Sequence, residues 1–111
     1  MTNYVKIAGA EHEARFVRFR GRDSRHNGRA TVTILLDKAY EEVNALFSSP
    51  GKWSVVRRDD AAPDHVTDCT AYEILCSITD WNNGVLEVVM GRATDRELLQ
   101  AIMGSADDSK I

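Results

Sequence analysis

Tyr72-Glu73-Ile74-Leu75-Cys76-Ser77-Ile78-Thr79-Asp80-Trp81-Asn82-Asn83-Gly84-Val85-Leu86-Glu87-Val88-Val89-Met90-Gly91 is the run that decides the fold. Before the turn, Tyr72, Ile74, Cys76 and Ile78 alternate with polar residues. After it, Leu86, Val88 and Met90 fall on one face, the period of two that marks half-buried strands. Asn83-Gly84 taken alone suggests a two-residue hairpin loop. That register sets Asp80 opposite Glu87, pairing like charges across the ladder. A three-residue loop, Asn82-Asn83-Gly84 with Gly84 left-handed, instead pairs Ile78 with Val88 and Cys76 with Met90. A slip of one residue moves every side chain to the other face, so the apolar pattern favours the three-residue loop. A short helix is expected next. Thr94-Asp95-Arg96-Glu97 has the form of a capping box, and Leu98, Leu99, Ile102 and Met103 form its inward stripe.

Upstream, residues 3–8 read as a strand followed by a turn at Gly9-Ala10, and Glu13 to Arg20 as a second strand. Gly21 to Gly28 has turn chemistry throughout. Ala30 to Leu36 is β-branched and is expected to pair back on the preceding strand. Asp37 is a credible helix N-cap. Tyr40, Val43 and Phe47 then mark the buried stripe of a helix that Ser48-Ser49-Pro50-Gly51 stops. Trp53 to Arg57 is a further strand, with Trp53 in the core. Arg58 to Thr70 reads as an exposed acidic loop. The expected fold is α+β: a mostly antiparallel sheet of about six strands with two short helices packed on it. Residues 1–104 form a single domain and 105–111 a flexible tail.

The 111-residue length suits a single domain with a modest core. With 43% hydrophobic and 28% charged residues, the composition is that of an ordinary globular protein. No apolar run approaches the roughly 20 residues of a membrane helix. The start, Met1-Thr2-Asn3-Tyr4-Val5-Lys6, lacks the apolar core of a signal peptide. Cys69 and Cys76 are the two cysteines, too few for a disulfide framework, and Cys76 reads as buried in its strand. No Gly-rich phosphate loop, Gly-x-Ser-x-Gly or His-Glu-x-x-His occurs. His12 lies between two glutamates at a turn. Asp64-His65-Val66-Thr67-Asp68-Cys69 groups hard and soft ligands without a second ligand pair, and Cys69 has no identified base beside it. The expectation is a protein without enzymatic activity, cofactor or metal.

The net charge of −3 is unevenly spread. Residues 1–36 hold seven basic and three acidic residues, a net of +4, and residues 37–111 carry −7. Such a split suits head-to-tail self-association, a basic face for an acidic partner, or plain solvation. The basic residues concentrate in Arg15, Arg18, Arg20, Arg22, Arg25 and Arg29, with Phe16 and Phe19 interleaved. Arg18, Arg20 and Arg22 would share a sheet face if the strand continues to the loop. The arrangement fits a protein–protein surface, in which arginine and aromatic residues are enriched. It also fits a phosphate-tracking, nucleic-acid-binding module on residues 15–29, although the pI of about 5.5 opposes that. Trp81, beside the hairpin tip, either covers a neighbouring residue or is a contact point.

Several segments in order resemble a group of small proteins encoded among the tail genes of gut-bacterial prophages. They are Gly21-Arg22-Asp23-Ser24-Arg25, Thr31-Val32-Thr33-Ile34-Leu35, Tyr40-Glu41-Glu42-Val43 with Leu46-Phe47, Trp53-Ser54-Val55, and Ile78-Thr79-Asp80 through Gly84 to Val89-Met90-Gly91 and Thr94. The resemblance spans residues 20–103 and contains no catalytic signature. It implies a tail or virion assembly component, made in the bacterial cytoplasm and carried in the particle. Such a component would contact protein partners, either copies of itself or other tail proteins, rather than nucleic acid or membrane.

Overall fold

Strands dominate because the apolar residues recur mainly with period two, and one helix interrupts them where the period changes. A computed structural model of the chain describes residues 1–26, 28–72, 75–81 and 84–93, with backbone alone for Leu75, Cys76 and Trp81. The elements are β1 (Thr2–Ile7), β2 (Ala10–Ala14), β3 (Phe16–Asp23), a 3₁₀ turn (Ser24–His26), β4 (Arg29–Leu36), α1 (Tyr40–Ser48), β5 (Trp53–Asp59), β6 (Ala62–Asp68), β7 (Leu75–Trp81) and β8 (Val85–Gly91). They form two four-stranded antiparallel sheets. Sheet A has the order β2-β1-β5-β6 and sheet B the order β3-β4-β8-β7.

The expected α+β class, a sheet of about six strands carrying two helices, is therefore corrected. The fold is mostly β, with eight strands in two sheets and one helix among the described residues. The expected helix at 94–103 and the tail at 105–111 lie outside those residues. Two extra strands account for most of the difference. β2 arises because the expected strand Glu13–Arg20 is broken at Arg15, where the chain leaves sheet A and enters sheet B. The Arg15 amide already donates to the Leu35 carbonyl of sheet B at 2.9 Å. β6 occupies the stretch expected to be a loop, paired on β5 from Asp59↔Ala62 to Ser54↔Asp68.

Two tight turns fix the sheet A hairpins. β1 and β2 meet through Ala8 and Gly9, with Ile7 opposite Ala10, so the turn lies one residue earlier than Gly9-Ala10. Both turn residues have positive φ, 53° and 80°, the left-handed pair that a type I′ turn demands. The Asp59 carboxylate accepts from the Ala61 amide at 3.1 Å and closes the β5–β6 turn.

In sheet B the deciding hairpin has the register that the apolar pattern favours. Ile78 pairs with Val88, Cys76 with Met90 and Trp81 with Val85. Gly84, just before Val85, has φ +75°. β3 pairs with β4 as expected.

Among the described residues one buried cluster joins the two sheets. Val5, Ile7, Ala14, Trp53 and Val55 enter it from sheet A, and Val17, Val32, Ile34, Leu36, Leu86, Val88 and Met90 from sheet B. Alternation along the paired rows puts all these residues on the facing surfaces. β3 begins where β2 ends, yet Phe19 lines a small cleft with Val55, Arg57, His65 and Thr67 of β5 and β6. β3 thus runs across sheet A rather than along it. Sheets packed crosswise have this geometry, with a strand that changes sheets at the corner.

α1 closes one end of the core through Val43 and Phe47, and the Phe47 ring meets Trp53 edge-on at 5.7 Å. Tyr40, expected on the same stripe, is 51% exposed. Asp37 does not cap the helix. The N-cap position is Ala39, with no side-chain cap, while the Asp37 carboxylate accepts from Arg15 Nε at 2.7 Å. Glu41 and Glu42 favour the first turn through the helix dipole. No helix among the described residues is long and apolar enough to cross a membrane.

The two aromatic residues of α1 should behave oppositely on truncation. Phe47→Ala is expected to cost about 3–5 kcal/mol, as for other buried Phe-to-Ala changes. Tyr40→Ala should stay within about 0.5 kcal/mol of wild type. Urea unfolding of the two variants measures both. Equal losses would restore Tyr40 to the buried stripe.

Candidate interaction surface

β3 is an edge strand of sheet B, so one side of its backbone has no neighbouring strand in the sheet. Pairing places Phe16 opposite Leu35, Arg18 opposite Thr33 and Arg20 opposite Thr31, all on the face pointing away from sheet A. Val17 points into the core. Phe19 shares its side but is 39% exposed, its ring edge-on to Tyr72 at 6.1 Å. Arg92 in turn lies 5.7 Å from the centroid of Tyr72. On the outer face Phe16 is 41% exposed, and the Arg18 guanidinium sits 5.9 Å from its centroid.

The expected row Arg18, Arg20, Arg22 is not kept. A register shift between Arg20 and Asp23 inserts one residue, and Asp23 then pairs with Arg29. Asp23, rather than Arg22, follows Arg20 on the outer face. Its side chain is 2% exposed, an uncommon state for an aspartate. One carboxylate oxygen accepts from the Arg25 amide and the other from the Thr31 hydroxyl, both at 3.0 Å. Arg25 Nε lies 3.5 Å away and His26 Nε2 4.0 Å away. The Asp23 carbonyl also accepts from the Gly28 amide at 2.8 Å, and Gly28 adopts φ +75°. Burial pushes the Asp23 carboxyl up. The Thr31 and Arg25 hydrogen bonds outweigh it, joined by the charges of Arg25 and His26, and the net pKa lies below 3.8.

The arginine cluster is thus divided by role. Arg15 is held by Asp37 at the corner between sheets, and Arg25 by Asp23. Arg20 is half-buried, its Nε without a hydrogen-bond partner. Arg29 stands opposite Asp23 in the ladder. Arg18 and Arg22 are exposed, and neither forms an ion pair among the described residues. Trp81 ends β7 opposite Val85, away from this cluster in the sheet order, and its side chain lies outside the described residues, as does that of Cys76.

Sheet A carries a second feature that sequence reading missed. Arg58 spreads across its outer face, with both terminal nitrogens on Glu11 of β2, at 2.9 and 3.1 Å. Its Nε and Nη2 reach Asp64 of β6 at 3.2 and 3.0 Å, and the guanidinium lies 4.7 Å from the Tyr4 ring centroid of β1. The bidentate contacts to Arg58 hold the Glu11 and Asp64 carboxyls below their usual range. No spacing rule connects these four residues. Only the strand order brings them together.

Cys69 and His65 do not form a nucleophile and its base. Cys69 is buried, its Sγ donating to the Thr67 carbonyl at 3.5 Å, and burial pushes its thiol up to about 11. His65 is exposed, in the cleft with Phe19 and Arg57, and Cys69 does not line that cleft. Among the described residues no three His, Cys, Asp or Glu side chains group closely enough to hold a metal. No protein-family model, curated protein or solved structure matches this chain.

The Asp23 geometry predicts a specific acid limb. A carboxyl with a lowered folded-state pKa contributes stability above its unfolded pKa and loses it as pH falls through the folded value. Wild-type stability should therefore decline as pH drops below about 4, the ordinary Asp range. Asp23→Asn should lower stability at pH 7 by about 1–3 kcal/mol, the cost of disturbing buried hydrogen bonds. It should also flatten part of the decline below pH 4. Urea midpoints from pH 2.5 to 7 test this, and parallel curves for the two proteins would refute it.

Proposed function

We propose that this chain is a non-enzymatic structural or interaction protein of phage or prophage origin, a component of a tail or virion assembly. The observation that carries the reading is the exposed Phe16–Arg18 pair on the edge strand β3. Solvated arginines serve solubility, but an exposed aromatic ring next to an arginine is the chemistry of interface anchors. The surrounding shape supports the same use. Two crosswise sheets give a rigid body with edge strands on either side, and binding residues set on strands are held more firmly than those on loops. The resemblance of residues 20–103 to prophage tail proteins supplies the kind of assembly.

A nucleic-acid role would need the arginines to act as one phosphate-tracking surface. Arg15 and Arg25 are instead matched with Asp37 and Asp23, so the local field is weaker than the sequence suggests.

The reading is tested in particles. A photo-crosslinking amino acid in place of Phe16 should yield, on illumination of purified virions, covalent adducts between this chain and virion protein. Mass spectrometry should find the chain in stoichiometric amounts in the same particles. Its absence from particles made by cells that express it would overturn the proposal.

A further inference from the structure

Resting on the assembly reading above, we infer that the partner of β3 includes a second copy of this chain, joined head to tail through the outer face of β6. The two edge strands point in different directions. Phe16, Arg18 and Arg20 occupy the face of sheet B turned away from sheet A. On β6, alternation from the pairs Val56↔Val66 and Ser54↔Asp68 places Asp64, Val66 and Asp68 on the face of sheet A turned away from sheet B. The basic and the acidic strand thus look out from opposite sides of the molecule.

Their surfaces are complementary in kind. β3 offers an exposed ring flanked by guanidinium groups. β6 is exposed over most of its length and presents Val66, 59% exposed, between Asp64 and Asp68. From Asp59 to Asp68 the hairpin contains no lysine or arginine. Arg58 is shared between Glu11 and Asp64, and Lys6 and Lys52 line a cleft with Val66 and Asp68, so the excess negative charge of the hairpin is carried at its Asp59–Asp64 end.

Symmetry follows from charge. A two-fold contact through β3 would set arginines against arginines, and one through β6 would set carboxylates against carboxylates. Like charges juxtaposed across an interface are strongly disfavoured. Of these three contacts, only β3 against β6 brings opposite signs together. Such a contact is heterologous, so each copy retains one free basic face and one free acidic face. Repetition generates a ring or a filament rather than a closed dimer.

Reciprocal charge reversal in the full-length protein tests this, with sedimentation velocity over a range of protein concentrations at low and high salt. Wild type should self-associate, and less so as salt rises. Arg18→Glu and Asp64→Lys, each alone, should weaken association about tenfold or more. An equimolar mixture of the two should recover it, because each variant then supplies the face that the other lacks. Circular dichroism checks folding, and if either reversal unfolds, Arg18→Gln and Val66→Ser replace it, each again expected to weaken association. A wild type that stays monomeric at high concentration and low salt overturns the inference. Loss on Arg18→Glu with none on Asp64→Lys overturns it too, since that is the signature of a β3–β3 contact. In both cases adducts between β3 and a different virion protein would leave the assembly reading standing.

Discussion

Each sheet is amphipathic, and neither can bury its apolar face alone. The structure depends on bringing those two faces together, and the connection that does so is the passage of the chain through Arg15. There β2 ends in sheet A and β3 begins in sheet B, with the Arg15 amide bonded to Leu35 and its guanidinium to Asp37. The corner fixes where β3 starts, and β3 fixes the direction of sheet B through β4 and β8. α1 then closes the core over Phe47 and Trp53, filling volume that crossed sheets leave open at one end.

What the sequence made legible was local. The β7–β8 register was readable because the two candidate loops differ in which side chains they oppose. One sets Asp80 against Glu87, and the other keeps Ile78 beside Val88. Trp53 was readable as core because a large ring opens a strand of valines. The division into two sheets was not readable. Arg15 interrupts no hydrophobic pattern, so Glu13 to Arg20 looks continuous until tertiary packing bends it. β6 escaped for the opposite reason. An edge strand with both faces near solvent has no apolar alternation to display, and Ala62-Pro63-Asp64-His65 reads as loop. Tyr40 misled because a helical stripe reports an angle around the axis, not how far the neighbouring sheet extends.

The candidate surface was partly legible. Its composition was visible, since arginines and phenylalanines crowd one strand. Their division of labour was not. The single extra residue between Arg20 and Asp23 decides which side chain follows Arg20 on the outer face. Asp23 is thereby drawn beneath the loop, where it is hydrogen-bonded and buried, and Arg22 is left exposed. A one-residue irregularity thus converts a uniform basic stripe into a structural carboxylate with arginines around it. Asp37 is diverted in the same way, from an expected helix cap to the partner of Arg15.

The same diversions change where the charge of the molecule lies. A +4 to −7 split along the chain gives no direction in space by itself, because folding can interleave the halves. Here Arg15 of the basic half is matched by Asp37 of the acidic half, while Arg25–Asp23 and the Glu11–Arg58–Asp64 bridge neutralise charges locally. The remaining charge is what a partner would meet. On β3 it is positive, beside an exposed ring. On the β5–β6 hairpin it is negative, at the Asp59–Asp64 end, and β6 also exposes Val66. Both strands are sheet edges, and they belong to different sheets whose outer faces point apart. Exposed pairs gain little in isolation and are screened by salt. Their effect is orientation: they disfavour the two symmetric contacts and leave the asymmetric one, in which successive copies share a direction.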